Sequence, residues 1–97
     1  MWIGWIEFDI LLGDVHSLKE KRSVVRPLLA EMKRRFEVSV AEVGGQEQYR
    51  RARLGVGLVA GDRAHLAEVL AAVERFVAAR PEIELLNARQ RELHSED

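Results

Sequence analysis

The chain has 97 residues, 47% of them hydrophobic and 32% charged, with a formal net charge of -1 and no cysteine. That length gives one domain over residues 1–97, since single cores divide only well past ~200 residues, and the apolar content excludes a disordered chain except at most a tail over 94–97. The charge balance excludes the bulk polyanion attraction of strongly basic domains, and the absence of cysteine excludes disulfides, thiolate metal sites and cysteine nucleophiles, which fits a reducing, cytoplasmic setting.

From Trp2 to Leu12 the even positions Trp2, Ile6, Phe8, Ile10 and Leu12 form an apolar face, and the odd positions include Glu7 and Asp9. Period-2 alternation of this kind predicts a half-buried strand. No basic leader precedes the apolar start, and the two acids interrupt it well short of the ~18 residues of a membrane helix, so neither an export signal nor a membrane span is expected. Gly13-Asp14 marks a turn. Ser17-Leu18-Lys19-Glu20 has the S-x-x-E form of a capping box and predicts a helix from about Leu18, with Val25, Leu28, Leu29, Met32 and Phe36 as its buried stripe. Pro27 predicts a kink near Ser23-Val24, or a restart with Ser23 as a second cap.

Val38 to Val43 reads as a second strand, Gln46 to Arg53 as a long polar hairpin connection, and Leu54 to Ala60 as a third strand. Gly61-Asp62 caps a second helix with Leu66, Val69, Leu70, Val73, Phe76 and Val77 on one stripe, and Pro81 stops it. Glu82 to about Leu93 alternates loosely, with Ile83 and Leu85 inward, and reads as the last strand. Helices with one apolar stripe and strands with one strong apolar face require a two-layer arrangement. The fold class is therefore α+β: a ferredoxin-like β-α-β-β-α-β sandwich with both helices on one face of an antiparallel sheet, whose order right-handed crossovers set as 4-1-3-2.

The run His16-Ser17-Leu18-Lys19-Glu20-Lys21-Arg22-Ser23, with Val38–Val43 and Arg53-Leu54-Gly55-Val56, resembles the bacterial YlxP-like family, domain of unknown function 503. The resemblance extends from the first strand through the second helix. It implies a ferredoxin-like fold and a small cytoplasmic protein often encoded near translation and ribosome-maturation factors, and it brings no catalytic residues to carry over. Pro27 departs from the family's helix pattern.

In this topology the loop after the first strand, the β-hairpin and the loop before the last strand share one end of the sheet. That end should gather His16, Lys19, Lys21 and Arg22 with Arg50, Arg51, Arg53 and Arg80, beside the free N–H groups of the first helix, which favour anions. Tyr49 adds a ring that can stack on a base. The alternative is that these cations pair with Glu20, Glu42 and Glu47 on a solvated surface.

The sheet face away from the helices is expected to show Ile3, Trp5, Glu7 and Asp9 from the first strand and Gly55, Gly57 and Val59 from the third. It offers one aromatic, two acids and no RNP-like motif, and its carboxylates disfavour phosphate. Ile3, Trp5 and Val59 suit a homodimer interface instead, or Trp5 is half covered by the last strand. Glu7 and Asp9 share a face as paired carboxylates would, but a metal site needs a third ligand from Glu84 or His94. Ser17 is taken up as a helix cap, and no phosphate loop, dinucleotide fingerprint or His-Glu metal motif occurs. The expectation is a non-enzymatic protein without a cofactor that binds RNA or a ribosomal particle through the basic end. Its rival is a homodimeric ligand-sensing or interaction module assembled through the open face.

Overall fold

Alternation in the first strand is realised as β1 (Trp2–Leu12), in which Gly4, Ile6, Phe8, Ile10 and Leu12 are buried and the odd positions only half covered. The computed structural model describes all 97 residues. The remaining elements are α1 (Leu18–Phe36), β2 (Ser39–Gly44), β3 (Arg51–Ala60), α2 (Arg63–Ala78) and β4 (Ile83–His94). All strand pairs are antiparallel in the order β2-β3-β1-β4, the expected 4-1-3-2 read from the other edge. Both helices cover one face, and the ferredoxin-like sandwich closes over a core that includes Phe8, Ile10, Met32, Leu54, Leu70 and Val77. No helix is long and apolar enough to cross a membrane.

Gly4 permits the close seating of α2 on β1: a Cβ there would lie 2.9 Å from methyls of both Leu66 and Leu70. At the other helix, the Ser17 hydroxyl accepts from Glu20 N–H at 3.1 Å, and the Glu20 carboxylate accepts from His16 N–H at 3.3 Å. The reciprocal contact makes the predicted capping box, shifted by one residue on its return arm. The expected restart at Ser23 does not occur: α1 runs unbroken through Pro27. Pro27 lies on the exposed side of the helix, so the Ser23 carbonyl it leaves without an N–H donor faces water, where the loss is small. The Ser23 hydroxyl bonds back to Glu20 O at 2.6 Å.

β3 begins at Arg51, three residues before the expected Leu54, so the hairpin connection is shorter than the sequence suggests. The loose alternation of the last strand has a cause in register. Ile10 pairs with Leu85 and Asp9 with Asn87, leaving Leu86 as an inserted residue. Such a bulge swaps the faces of everything after it. Ile83 and Leu85 point to the core as expected, and beyond Leu86 the odd residues Asn87, Arg89, Arg91 and Leu93 turn to the open face. The chain end folds back on its start, with Ser95 N–H donating to Met1 O at 2.8 Å.

Candidate functional site

Three segments converge at the end of the sheet where β1 stops. Leu12 N–H donates to Arg50 O at 2.7 Å, and Arg50 Nε donates to Gly13 O at 3.0 Å, which joins the β1–α1 loop to the hairpin. Pro81 and Glu82 before β4 share a hollow with Gly13 and Arg50. The hairpin is fastened to α1 by Lys21. Its ammonium donates to Gly45 O at 2.5 Å and Gln48 O at 2.8 Å, and Glu42 Oε2 lies 2.8 Å away as its counter-charge, outside hydrogen-bond alignment. Only 2% of Lys21 is exposed. Lys21 therefore cannot serve as the phosphate contact expected of it: its protons and charge are spent on the hairpin. The sequence held the signal, because Lys21, Val25, Leu28 and Met32 all fall on the buried stripe of α1.

The other expected contacts divide into three groups. His16 Nε2 lies 2.6 Å from Asp14 Oδ1, both side chains exposed. Arg53 is a second correction, since its Nε donates to Asp9 Oδ1 at 2.9 Å and its charge is neutralised there. Arg80, similarly, is held by Glu82 at 3.0 Å and Glu31 at 3.8 Å. Lys19, Arg22, Arg50 and Arg51 are exposed and in no ion pair, as is Arg26 one turn beyond Arg22 on the same outer flank of α1. Tyr49 is 49% exposed at the hairpin tip. These free groups wrap the end instead of forming one flat patch. Lys19 and Arg22 sit on the helical side, Arg50 at the tip, and Arg51, paired in register with Leu11, on the open face.

On that open face, Trp5 lies opposite Gly57 and Glu7 opposite Gly55, as the alternation requires. The bulge in β4 adds what the sequence reading omitted. Arg89 Nη1 donates to Asp9 Oδ2 at 3.0 Å and its Nη2 to Glu7 Oε2 at 3.3 Å. The hydrogen bond from Arg53, supported by that from Arg89, holds the Asp9 carboxyl below its ordinary range, against the opposing effect of burial; the bond to Asp9 in turn raises Arg89. The two carboxylates are thus consumed in a network with two arginines. His94 does not join them, because it lies beside Trp2 with ring centroids 4.8 Å apart. No three His, Asp or Glu side chains gather into a metal-binding group.

At the opposite end of the open face, Val59, Ile3 and Leu93 form one cross-strand row. Val59 is 63% and Leu93 47% exposed. Next to this row lies a shallow groove of about 340 Å³ walled by Trp5, Ser39, Ala41 and Val43, with Gly55 and Gly57 as its floor. Leu93 escaped the sequence reading for the same reason as Arg89, since only the bulge turns it outward.

Comparison with known proteins places this arrangement in a family. The chain is 35% identical over 82 residues to the uncharacterized protein YlxP of Bacillus subtilis (strain 168), covering 84% of this chain and 89% of that one. Among solved structures it is similar to a de novo designed protein with ferredoxin fold, LFR1 1, at a TM-score of 0.54 and 12% identity, covering 96% of this chain and 84% of the other. LarC2, the C-terminal domain of a cyclometallase involved in synthesis of the NPN cofactor of lactate racemase, is more distant, at a TM-score of 0.43 and 12% identity over 96% of this chain and 55% of that one. Residues 3–90 match the family described as Protein of unknown function (DUF503), and with both the family and a close relative matched over most of its length, the chain belongs to DUF503.

Proposed function

We propose that this chain is a non-enzymatic, cytoplasmic RNA-binding protein that contacts RNA, free or in a ribosomal particle, through the loop end. The observation that carries the reading is the division of labour there. Lys21 is spent on pinning the hairpin to α1, and Lys19, Arg22, Arg50 and Arg51 are left around that fixed frame with no carboxylate partner. Rigid placement matters, because ordering flexible side chains and loops on binding costs affinity. Tyr49 beside Arg50 offers a face for stacking, worth about 1–3 kcal/mol per base in single-strand binders. Cations distributed around an end suit a strand that bends over it better than a straight duplex. Proximity of family genes to translation factors, which the family resemblance implies, gives the ribosomal particle as the first partner to try.

The test compares wild type with Lys19→Glu/Arg22→Glu and Arg50→Glu/Arg51→Glu in binding to isolated ribosomal subunits and to total RNA. Each pair is expected to lose tenfold or more. For about four phosphate contacts to single-stranded RNA, wild-type affinity should fall on the order of 50-fold between roughly 50 and 200 mM salt by counterion release. Binding by both variants as tight as wild type, or flat with salt, refutes the reading.

A further inference from the structure

Three glycines of the sheet interior have different reasons to be there. Gly4 is required by α2, and Gly55 by Val43, whose Cγ1 would lie 2.9 Å from an added Cβ. Gly57 has no such reason. Its backbone is not in the positive-φ region, and a Cβ there would meet only Gly4 O, at 3.7 Å. A Cβ therefore fits and would favour the strand, so glycine in this place weakens β3 without relieving a contact at the Cβ position. What Gly57 does is keep the groove open beside Trp5. A glycine in a strand interior often marks the close approach of something outside the strand.

We infer that the occupant is a second copy of this chain, with Val59 of each protomer seated in the groove over the partner's Gly57. A two-fold contact needs a projection and a recess on the same patch, so that each copy fills the other. Val59 and Gly57 are two residues apart on β3, so both lie on one face about 7 Å apart. A two-fold axis lying between the sheets and running across the strands midway between them exchanges the row Val59–Ile3–Leu93 with the row Gly57–Trp5–Arg91. Ile3 then covers the partner's Trp5, and the exposed row and the groove are both buried by one operation.

Charge agrees with that geometry. In the exchanged rows Arg91 is the one charged residue, and the axis brings it and Arg89 toward the partner's acidic end, Glu96-Asp97. Glu7 and Arg89 lie in the outermost overlapping row, paired with each other, and the Asp9–Arg53 pair lies beyond it. β2 begins opposite Gly57, so three strands run through the exchanged rows, and with about four outward rows they give roughly 400 Å² of face per protomer from strand spacing and rise. The total of about 800 Å² is below that of a standard interface and implies a weak dimer that dissociates on dilution. The overlap leaves the loop ends free at opposite poles, so this proposal does not depend on the RNA reading.

Sedimentation velocity over a concentration series, on wild type, Gly57→Val and Val59→Glu, tests it. Wild type should show a concentration-dependent dimer that salt does not dissolve. Gly57→Val should melt no lower than wild type yet associate at least tenfold more weakly, because it fills the recess from a position where a Cβ meets nothing closer than Gly4 O at 3.7 Å. Val59→Glu, at a residue outside the core, should also be monomeric. A wild type that stays monomeric at every concentration overturns the proposal, as does a dimer that both substitutions leave intact. Lys19→Glu/Arg22→Glu should dimerise as wild type does, which separates failure here from failure of RNA binding.

Discussion

The loop end and the open face treat charge in opposite ways. At the loop end one lysine is buried to hold a hairpin, and its neighbours Lys19, Arg22, Arg50 and Arg51 have no carboxylate partner. On the open face Glu7, Asp9, Arg53 and Arg89 are matched in one surface network, and beside it lies an apolar surface of Val59, Ile3, Leu93 and the groove at Trp5. A count of cations would have ranked the two regions by arginine content, which is similar. The partners of each cation separate them. Free charge suits a polyanion, whereas neutralised charge beside an apolar row suits another protein surface.

The largest effect that would break this contrast is expected at Lys21. Lys21→Met removes the counter-charge of a part-buried Glu42 and leaves two hairpin carbonyls without their donor, a loss of about 3–5 kcal/mol by analogy with broken buried ion pairs. Urea unfolding should show it, and Lys21→Met/Glu42→Leu should recover a large part, since replacing both members leaves no stranded charge. If Lys21→Met is as stable as wild type, Lys21 is not a clamp and the loop end is not preorganised. The next effect lies in the sheet. Gly4→Ala drives a Cβ to 2.9 Å from Leu66 and Leu70 and should cost about 1–3 kcal/mol, as overpacking does. Gly57→Ala meets nothing closer than 3.7 Å and should be neutral or stabilising. Equal melting temperatures for the two variants would remove the argument that Gly57 is kept for a contact outside the chain.

Much of the fold was legible because it rests on local periodicities. The alternation of Trp2–Leu12, the Ser17–Glu20 cap, the Asp62 cap and the two apolar stripes each act within a few residues, and the handedness of crossovers supplied the strand order. What was not legible depended on register across strands. The pairing of Asp9 with both Arg53 and Arg89 requires knowing which residue faces which, and Arg89 reaches that row only because Leu86 is an extra residue in β4. A single inserted residue changed the open face from an acidic surface to a balanced one with Arg91 and Leu93 added. Lys21 differs from both cases, since its place on the apolar stripe was visible. Its basic neighbours in the sequence suggested a surface patch, and the helix period pointed inward.

The smallest expected effect is in the network itself, and it sharpens the comparison through pH. Asp9 is held below its ordinary pKa chiefly by the hydrogen bond from Arg53. A carboxyl depressed on folding contributes stability above its unfolded value of about 3.9, and that contribution is lost as pH falls through the folded value. Wild type should therefore keep the contribution at neutral pH and shed it only in acid below about pH 4. Arg53→Met should raise the Asp9 pKa more than Arg89→Met does, because Arg53 supplies the larger lowering influence. The change in stability should be small and screened by salt, since the Arg53 and Arg89 side chains are 46% and 42% exposed. A carboxyl-carbon NMR titration reads Asp9 directly. An ordinary Asp9 pKa in wild type, or no rise in Arg53→Met, would mean that the pairs are loose in solution and the open face is more acidic than its geometry makes it. The balance that distinguishes that face from the loop end would then be gone.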